Sequence, residues 1–373
     1  MLTAHGLGPT VTPVSDLPLG FVLRQRYRIL DLVGRGGGGA VYRAEDLRLD
    51  GRITAVKQIL PDPAASAEVR AEMAEQFQRE ASTLARLDHP VLPKVSDSFA
   101  DEGTEYLVMD YVAGPDLRQV VDEAHTAGEL LPEERVMAWI DQLLDAVAYL
   151  HAQDPPVLHR DIKPANIKLV NADQDRIKLV DFGLVKPFDP SDPRTLTVAR
   201  GVGSLPYTPL EQYAGDTGHT DPRADIYGIG CTLYHLLTGR APATAQDRFL
   251  MPNALRRPRR YNPNVSARIE GAILGAMALH PEKRPRDIEA LRATLHGERK
   301  LQPDVELGTV AAAWRQGLWD NAGLIALVGL LLLLTIVATW RAQAPQLPAP
   351  APAATEVGAL PLPGALPLQG RFG

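Results

Sequence analysis

Residues 157–166 read Val-Leu-His-Arg-Asp-Ile-Lys-Pro-Ala-Asn, and residues 181–183 read Asp-Phe-Gly. In the first run His159, Arg160, Asp161, Lys163 and Asn166 fall in the spacing H-R-D-x-K-x-x-N. A strand-like stretch, Arg-Ile-Lys-Leu-Val at 176–180, leads straight into Asp181. Two patterned runs this close together do not arise by chance. Toward the amino terminus, Gly-Arg-Gly-Gly-Gly-Gly-Ala-Val at 34–41 places Gly34, Gly36 and Gly39 in the spacing G-x-G-x-x-G. Glycines let a backbone approach phosphates closely, and in dinucleotide-binding folds a helix follows them at once. Here the following residues, Ala-Val-Tyr-Arg-Ala-Glu-Asp at 40–46, are strand-like, and a turn at Asp50-Gly51 separates them from Ile-Thr-Ala-Val-Lys at 53–57. A nicotinamide-dependent oxidoreductase built on this glycine motif is therefore excluded. What remains is a strand, a glycine turn and a strand, which is either a chance Gly-rich turn or a hairpin that could cover a nucleotide.

The other elements follow from apolar spacing. Short β-rich runs from Tyr27 to Lys57 predict antiparallel strands, and Tyr-Leu-Val-Met-Asp-Tyr-Val at 106–112 predicts one more. Between them, residues 67–87 read as a helix with Phe77, Ala81, Leu84 and Leu87 on one stripe. Lys57 ends an apolar strand pattern, and Glu80 lies on the apolar stripe of that helix, where an unpaired carboxylate is expensive. An ion pair between Lys57 and Glu80 would resolve both. Further on, Val136, Ile140, Leu143, Val147 and Leu150 form a stripe opened by Pro132, Glu133 and Glu134, as a helix start should be. Residues 225–238 are apolar nearly all round, which suits a buried central helix capped by Gly239. The expected fold class is α+β, with a small β-rich lobe followed by a larger helical one.

A net charge of −6 gives no electrostatic reason to expect a nucleic-acid partner. A single cysteine, Cys231, excludes an intramolecular disulfide and any cysteine-based zinc site, and it reads as core filling. His5, His89 and His151 show no ligand spacing. The chain has 32 prolines among 373 residues, against a usual share of about 5%, so part of it is not compact. Residues 1–26 are expected to be a flexible leader; the first 20 lack Lys and Arg, so they do not form an export signal. Residues 321–340 contain no charged side chain, include five consecutive leucines at 330–334 and are bracketed by Trp319 and Trp340. At about 1.5 Å per residue this run matches the bilayer core, and one carboxyl-terminal transmembrane helix is expected. The Pro/Ala-rich stretch 341–373 is expected to be extended. Arg256, Arg257, Arg259 and Arg260 form a basic cluster read as a solvated loop or as a dock for substrate or lipid headgroups.

Taken together these motifs resemble the eukaryotic-like Ser/Thr protein kinases, and with the apolar span the chain is most similar to the bacterial membrane-anchored ones. The resemblance covers residues 27–297, with an N-lobe of about 27–110 and a C-lobe of about 114–297, followed by a juxtamembrane linker at 298–320. It implies that ATP and Mg²⁺ are the cofactors. Lys57, held by Glu80, would contact the α and β phosphates; Asn166 and Asp181 would hold the metal. Asp161 would orient the acceptor hydroxyl and take its proton, while Lys163 would neutralise the moving phosphoryl group. Gly34, Gly36 and Gly39 would cover the phosphates. Adenine would lie between Val41 and Ala55 and bond to the backbone of Asp110 and Val112, with Met109 as gatekeeper and Asp116 on the ribose side. Asp225 and Arg284 fall where the family keeps an aspartate at its central helix and an arginine near its end.

Four positions depart from the family pattern. Gly38 replaces an apolar loop tip, Lys168 stands where an apolar side chain underlies adenine, Ser204 replaces a commoner Thr, and Leu210 replaces the Pro before Glu211. None removes a catalytic group, and a Glu211–Arg284 pair remains available. The resemblance implies a kinase acting on Ser and Thr of proteins, self-association for autophosphorylation, a phosphorylation site at Thr195 or Thr197 facing Arg160, and a single-pass location with the kinase domain in the cytosol. The alternative is a membrane-anchored pseudokinase scaffold, for which Gly38 and Lys168 are the best support.

Overall fold

The computed structural model describes residues 17–36, 39–60, 65–171, 175–181, 202–213, 221–298 and 333–335. Gly38, Phe182, Gly183, Thr195, Thr197 and nearly all of the apolar run 321–340 lie outside these residues, as do the juxtamembrane linker beyond Glu298 and the tail. The chain divides into two units, Met1–Leu307 and Gly308–Gly373. Of the second, only Leu333, Leu334 and Thr335 are described, and they are helical. No helix among the described residues is long and apolar enough to cross a membrane.

Six antiparallel strands make the first lobe: β1 Val22–Leu23, β2 Tyr27–Gly36, β3 Gly39–Asp46, β4 Ile53–Ile59, β5 Val95–Asp101 and β6 Thr104–Asp110, in spatial order β1-β2-β3-β4-β6-β5. Side chains alternate across β3, so Ala40, Tyr42 and Ala44 are buried on one face while Val41 and Arg43 lie on the other. The first face joins Leu23, Tyr27, Ile29, Val56, Phe99, Tyr106 and Val108 in an outer core cluster. β1 falls within residues 1–26, read from sequence as a leader; Leu23 is buried because β1 pairs with β2 and tucks into that cluster.

Helix α1, Ala67–Leu84, packs on the other side of the sheet through Phe77, Ala81 and Leu84, the expected stripe. Its start is fixed by Ser66, whose hydroxyl accepts from the Val69 amide at 3.3 Å. The helical lobe contains α2 Leu117–Thr126, α3 Glu133–His151, α4 Arg223–Thr238, α5 Ala245–Leu250, α6 Ala267–Ala276 and α7 Ile288–His296, plus a hairpin of β7 Ile167–Asn171 and β8 Arg176–Leu179. In α3 the expected stripe is fully buried, and Trp139 joins it. α4 is the centre of the lobe: every residue from Ala224 to Thr238 is buried, and Gly239 ends the helix with φ +68°. This two-lobed arrangement of a β-rich and a helical part is the expected one.

Candidate active site

The groups singled out in the sequence converge where the two lobes meet. From the sheet come the hairpin β2–β3, with Gly34 opposite Val41 and Gly36 opposite Gly39, and then Val41 opposite Lys57 across β3–β4. Gly39 has φ +147°, and a Cβ there would lie 1.8 Å from the Gln58 carbonyl oxygen, so only glycine fits. One register step along, Ala55 pairs with Met109 and Thr54 with Asp110, which aligns the expected adenine walls with the edge where β6 leaves the sheet. Val112 follows two residues later. Gly114 was not singled out from sequence; it has φ +112°, and a Cβ there would lie 2.2 Å from the Leu169 carbonyl oxygen. The Gly-Pro pair after a strand was its available signal.

On the helical side, Asp225 at the start of α4 sets the loop. Its carboxylate accepts from the backbone amides of His159 at 2.9 Å and Arg160 at 2.7 Å, and from His151 Nε2 at 2.9 Å. Burial alone would raise its pKa; the His151 hydrogen bond and charge, with His159, hold the carboxyl below its ordinary value. Arg160 is thereby kept at φ +65°, a conformation rare for a side-chain-bearing residue. His159 is fully buried, and burial lowers its pKa; its Nε2 lies 3.3 Å from the Val180 carbonyl oxygen. Val180 in turn donates its amide to the Asn166 carbonyl at 2.8 Å, so the strand before Asp181 is laced to the loop carrying Asp161.

Within that loop, Lys163 Nζ donates to Asp161 Oδ2 at 2.8 Å and to the Ser204 hydroxyl at 2.6 Å. Asn166 Nδ2 donates to the Asp161 carbonyl at 2.8 Å and to its Oδ2 at 3.1 Å. The Asn166 amide nitrogen is thus committed to Asp161, leaving its oxygen as an acceptor. Among the described residues no three His, Cys, Asp or Glu side chains cluster as a metal site. The oxygen donors of Asn166 and Asp181 nevertheless suit Mg²⁺, which is commonly bound by one or two protein groups together with substrate phosphates.

One expected contact is replaced. Lys57 forms its ion pair with Asp181, not with Glu80. Glu80 accepts instead from Gln76 Nε2 at 2.9 Å, one turn back on α1. Burial, only partly offset by that hydrogen bond and by Arg160, raises the Glu80 pKa. The lysine ammonium takes the more solvated carboxylate, which carries its charge at less desolvation cost.

Three further positions have resolved partners. Asp116 caps α2, accepting from the Gln119 amide at 2.9 Å in a reciprocal box that Gln119 completes at 3.0 Å. Lys168 sends its ammonium to the Gly114 carbonyl at 3.1 Å, and its backbone forms a bridge with Asp116. The Glu211–Arg284 pair is bidentate at 2.5 and 3.0 Å with the Arg284 side chain wholly buried, and Leu210, where the resemblance leads one to expect Pro, packs against the core. Cys231 is buried, and burial pushes its thiol up to about 12.

A family model described as "Protein kinase domain" matches residues 27–289. The Serine/threonine-protein kinase pkn3 of Myxococcus xanthus is 33% identical over 301 residues, covering 78% of this chain and 53% of the relative. The Serine/threonine-protein kinase PknB of Mycobacterium tuberculosis is 33% identical over 309 residues, covering 80% of this chain and 47% of the relative. The chain therefore spans about half the length of these curated relatives. Among solved structures, the crystal structure of the Mycobacterium tuberculosis PknI kinase domain superposes with a TM-score of 0.58 at 27% identity, covering 76% of this chain and all of that one.

Proposed function

The chain belongs to the protein kinase family, as a bacterial member of its eukaryotic-like Ser/Thr branch, and from that premise we propose that it transfers the γ-phosphoryl group of ATP to Ser and Thr hydroxyls of proteins, itself included. The observation that carries this reading is the lysine between base and hydroxyl: Lys163 holds the Asp161 carboxylate at 2.8 Å and a seryl hydroxyl at 2.6 Å at the same time. Asp161 orients an acceptor hydroxyl and takes its proton, and Lys163 offsets charge on the transferred group. Asn166 and Asp181 would hold Mg²⁺, whose charge would offset that of the phosphates. Lys57 positions the α and β phosphates, and Gly34, Gly36 and Gly39 bring backbone close above them. Val41, Ala55 and the backbone at Asp110 and Val112 receive adenine, with Asp116 beside the ribose. The pseudokinase reading is not favoured, because Lys57, Asp161, Asn166 and Asp181 are all present.

Arg160 supports a regulatory site in the same reading. Its Nε is buried without a hydrogen-bond partner among the described residues, and a phosphate on Thr195 or Thr197 supplies the charge-assisted acceptors it lacks. The apolar run at 321–340 supports a single membrane span with the kinase domain in the cytosol, where ATP is. Self-association brings one chain's threonines to another's active site.

Incubation of the purified chain with labelled ATP and Mg²⁺ tests the activity. Label is expected on Ser or Thr of the chain and of generic protein substrates. Asp161→Asn should keep ATP binding and slow transfer by about a hundredfold or more, the usual range for a lost general base. Absence of label with folded, ATP-binding wild type would leave the scaffold reading standing.

A further inference from the structure

Between Gly239 and Ile269 the sequence holds seven arginines and one aspartate, a local charge of +6 in a chain of net charge −6, so the remainder carries −12. This stretch contains α5 and a short turn at Pro258–Arg260 before α6. Arg248 is spent inward, its Nη1 donating to the Tyr227 hydroxyl at 3.2 Å. Arg256, Arg257, Arg259 and Arg260 are all exposed, while Pro258 in their midst is buried and pins the turn. Glu270 reinforces the pin, accepting from the Arg259 amide at 3.0 Å and lying 3.5 Å from Arg257. Arg256, Arg259 and Arg260 have no carboxylate partner among the described residues.

Next to this turn, three consecutive apolar residues point into water. Phe249, Leu250 and Met251 are 65%, 75% and 57% exposed. The chain folds back between tip and turn through a bond from the Ala254 amide to the Met251 carbonyl at 2.9 Å. It is fastened to α4 where the Tyr234 hydroxyl donates to the Arg256 carbonyl at 2.9 Å. A held loop that carries bare apolar side chains and uncompensated guanidinium groups within about a dozen residues of chain suits a partner that is both apolar and anionic.

We propose that this surface docks on the anionic face of a lipid bilayer. Phe249, Leu250 and Met251 enter the boundary between headgroups and acyl chains, while the arginines fork onto lipid phosphate oxygens. An acidic peptide would satisfy the arginines alone; an uninterrupted apolar tip beside them matches a planar boundary that is charged outside and hydrocarbon within. The proposal rests on the membrane-anchor reading in one respect: residues 299–320 are 22 in number and reach at most about 75 Å when extended, so an anchor at 321–340 keeps the loop at high effective concentration over the membrane. Docking then fixes which way the active site faces and favours substrates held at that membrane.

The test uses the full chain reconstituted in vesicles, with Leu250→Cys carrying an environment-sensitive fluorophore. Cys231, buried and with its thiol pushed up to about 12, stays unlabelled. The expected result is a blue shift in phosphatidylcholine vesicles containing about 30 mol% phosphatidylglycerol, reversed by salt of about 0.5 M. In pure phosphatidylcholine the shift should be absent. Arg256→Gln, Arg259→Gln and Arg260→Gln combined, which spare the Arg257–Glu270 pair, should weaken docking by on the order of a hundredfold, since each arginine contributes about a factor of five to ten at an anionic surface. Equal emission in neutral and anionic vesicles overturns the proposal. So does a shift produced by polyglutamate on neutral vesicles that equals or exceeds the lipid one, which assigns the surface to an acidic protein. Vesicle association that survives an alkaline wash scores the anchor separately, so loss of the span and loss of docking are read apart.

Discussion

Glu80 and Gly39 show how single residues carry the site. A carboxylate whose pKa is raised by burial destabilises the folded state when it is ionised, so at neutral pH Glu80→Gln should leave the melting temperature unchanged or slightly higher. The Lys57–Glu80 pair expected from sequence is replaced by Lys57–Asp181 in the structure; should Lys57 exchange Asp181 for Glu80 during turnover, the same substitution should lower phosphoryl transfer by about tenfold or more, because the lysine loses the anion that holds it over the phosphates. Melting curves and initial rates on one preparation separate the two effects; unchanged rates would remove Glu80 from the machinery. Gly39→Ala places a Cβ 1.8 Å from a backbone oxygen at φ +147° and should cost about 1–3 kcal/mol. Gly34→Ala meets nothing within 4 Å and should stay within about 1 kcal/mol. Equal losses in chemical denaturation would show that the hairpin is not held as described. Gly34 and Gly39 carry the same letter in the motif, and only three dimensions separate the tolerant position from the intolerant one. The Lys57–Asp181 pair was hidden for a similar reason: two carboxylates compete for one ammonium, and the winner depends on desolvation that spacing does not encode.

At the scale of elements, α4 sets both stability and its pH dependence. His235, in its last turn, shares a 2.6 Å hydrogen bond with the Tyr207 hydroxyl, and burial, assisted by Arg118, lowers its pKa from 6.5 to about 4. A base that protonates more readily when unfolded gives stability that is complete above about pH 6.5 and declines as pH falls toward 4. Between pH 7 and pH 5 the His235 share of that loss is about 2 kcal/mol. His159 adds to the slope in the same direction, while Asp225, whose pKa is depressed, acts only at lower pH. Urea titrations should therefore show His235→Gln losing less stability than wild type across that interval; parallel losses would refute the assignment. The element itself was legible because a run apolar on every side, ended by glycine, has nowhere to go but the middle of a domain. Helix α3 and the strands of the sheet were legible through periods of 3.6 and 2. Less was visible for α5, six residues long with three large apolar side chains at its exit left in water, because periodicity needs length and a buried face. The contacts of Asp225 with the 159–160 loop were also unreadable: they join residues more than 60 positions apart, and the sequence marks only that an acid stands there.

Across the whole molecule, the proposed span at 321–340 carries an expectation about which side of a membrane the kinase domain would occupy. Arg299, Lys300 and Arg315 precede the run at 321–340, and Arg341 follows it. The bias in short flanks therefore favours keeping the preceding side in the cytosol, with Arg341 as a single opposing charge. The matched domain at 27–289 adds a stronger constraint, since its proposed nucleotide is cytosolic and a folded domain is hard to translocate. The exposed arginines of the 256–260 turn agree with this orientation, because the cytoplasmic leaflet is the anionic one. Protease added to intact cells should therefore cut the stretch beyond Arg341, read by loss of an epitope appended after Gly373, and spare the kinase domain on the same blot. Permeabilised cells should lose both. Digestion of the kinase domain in intact cells would reverse the topology, and with it the access to ATP on which the proposed transfer depends.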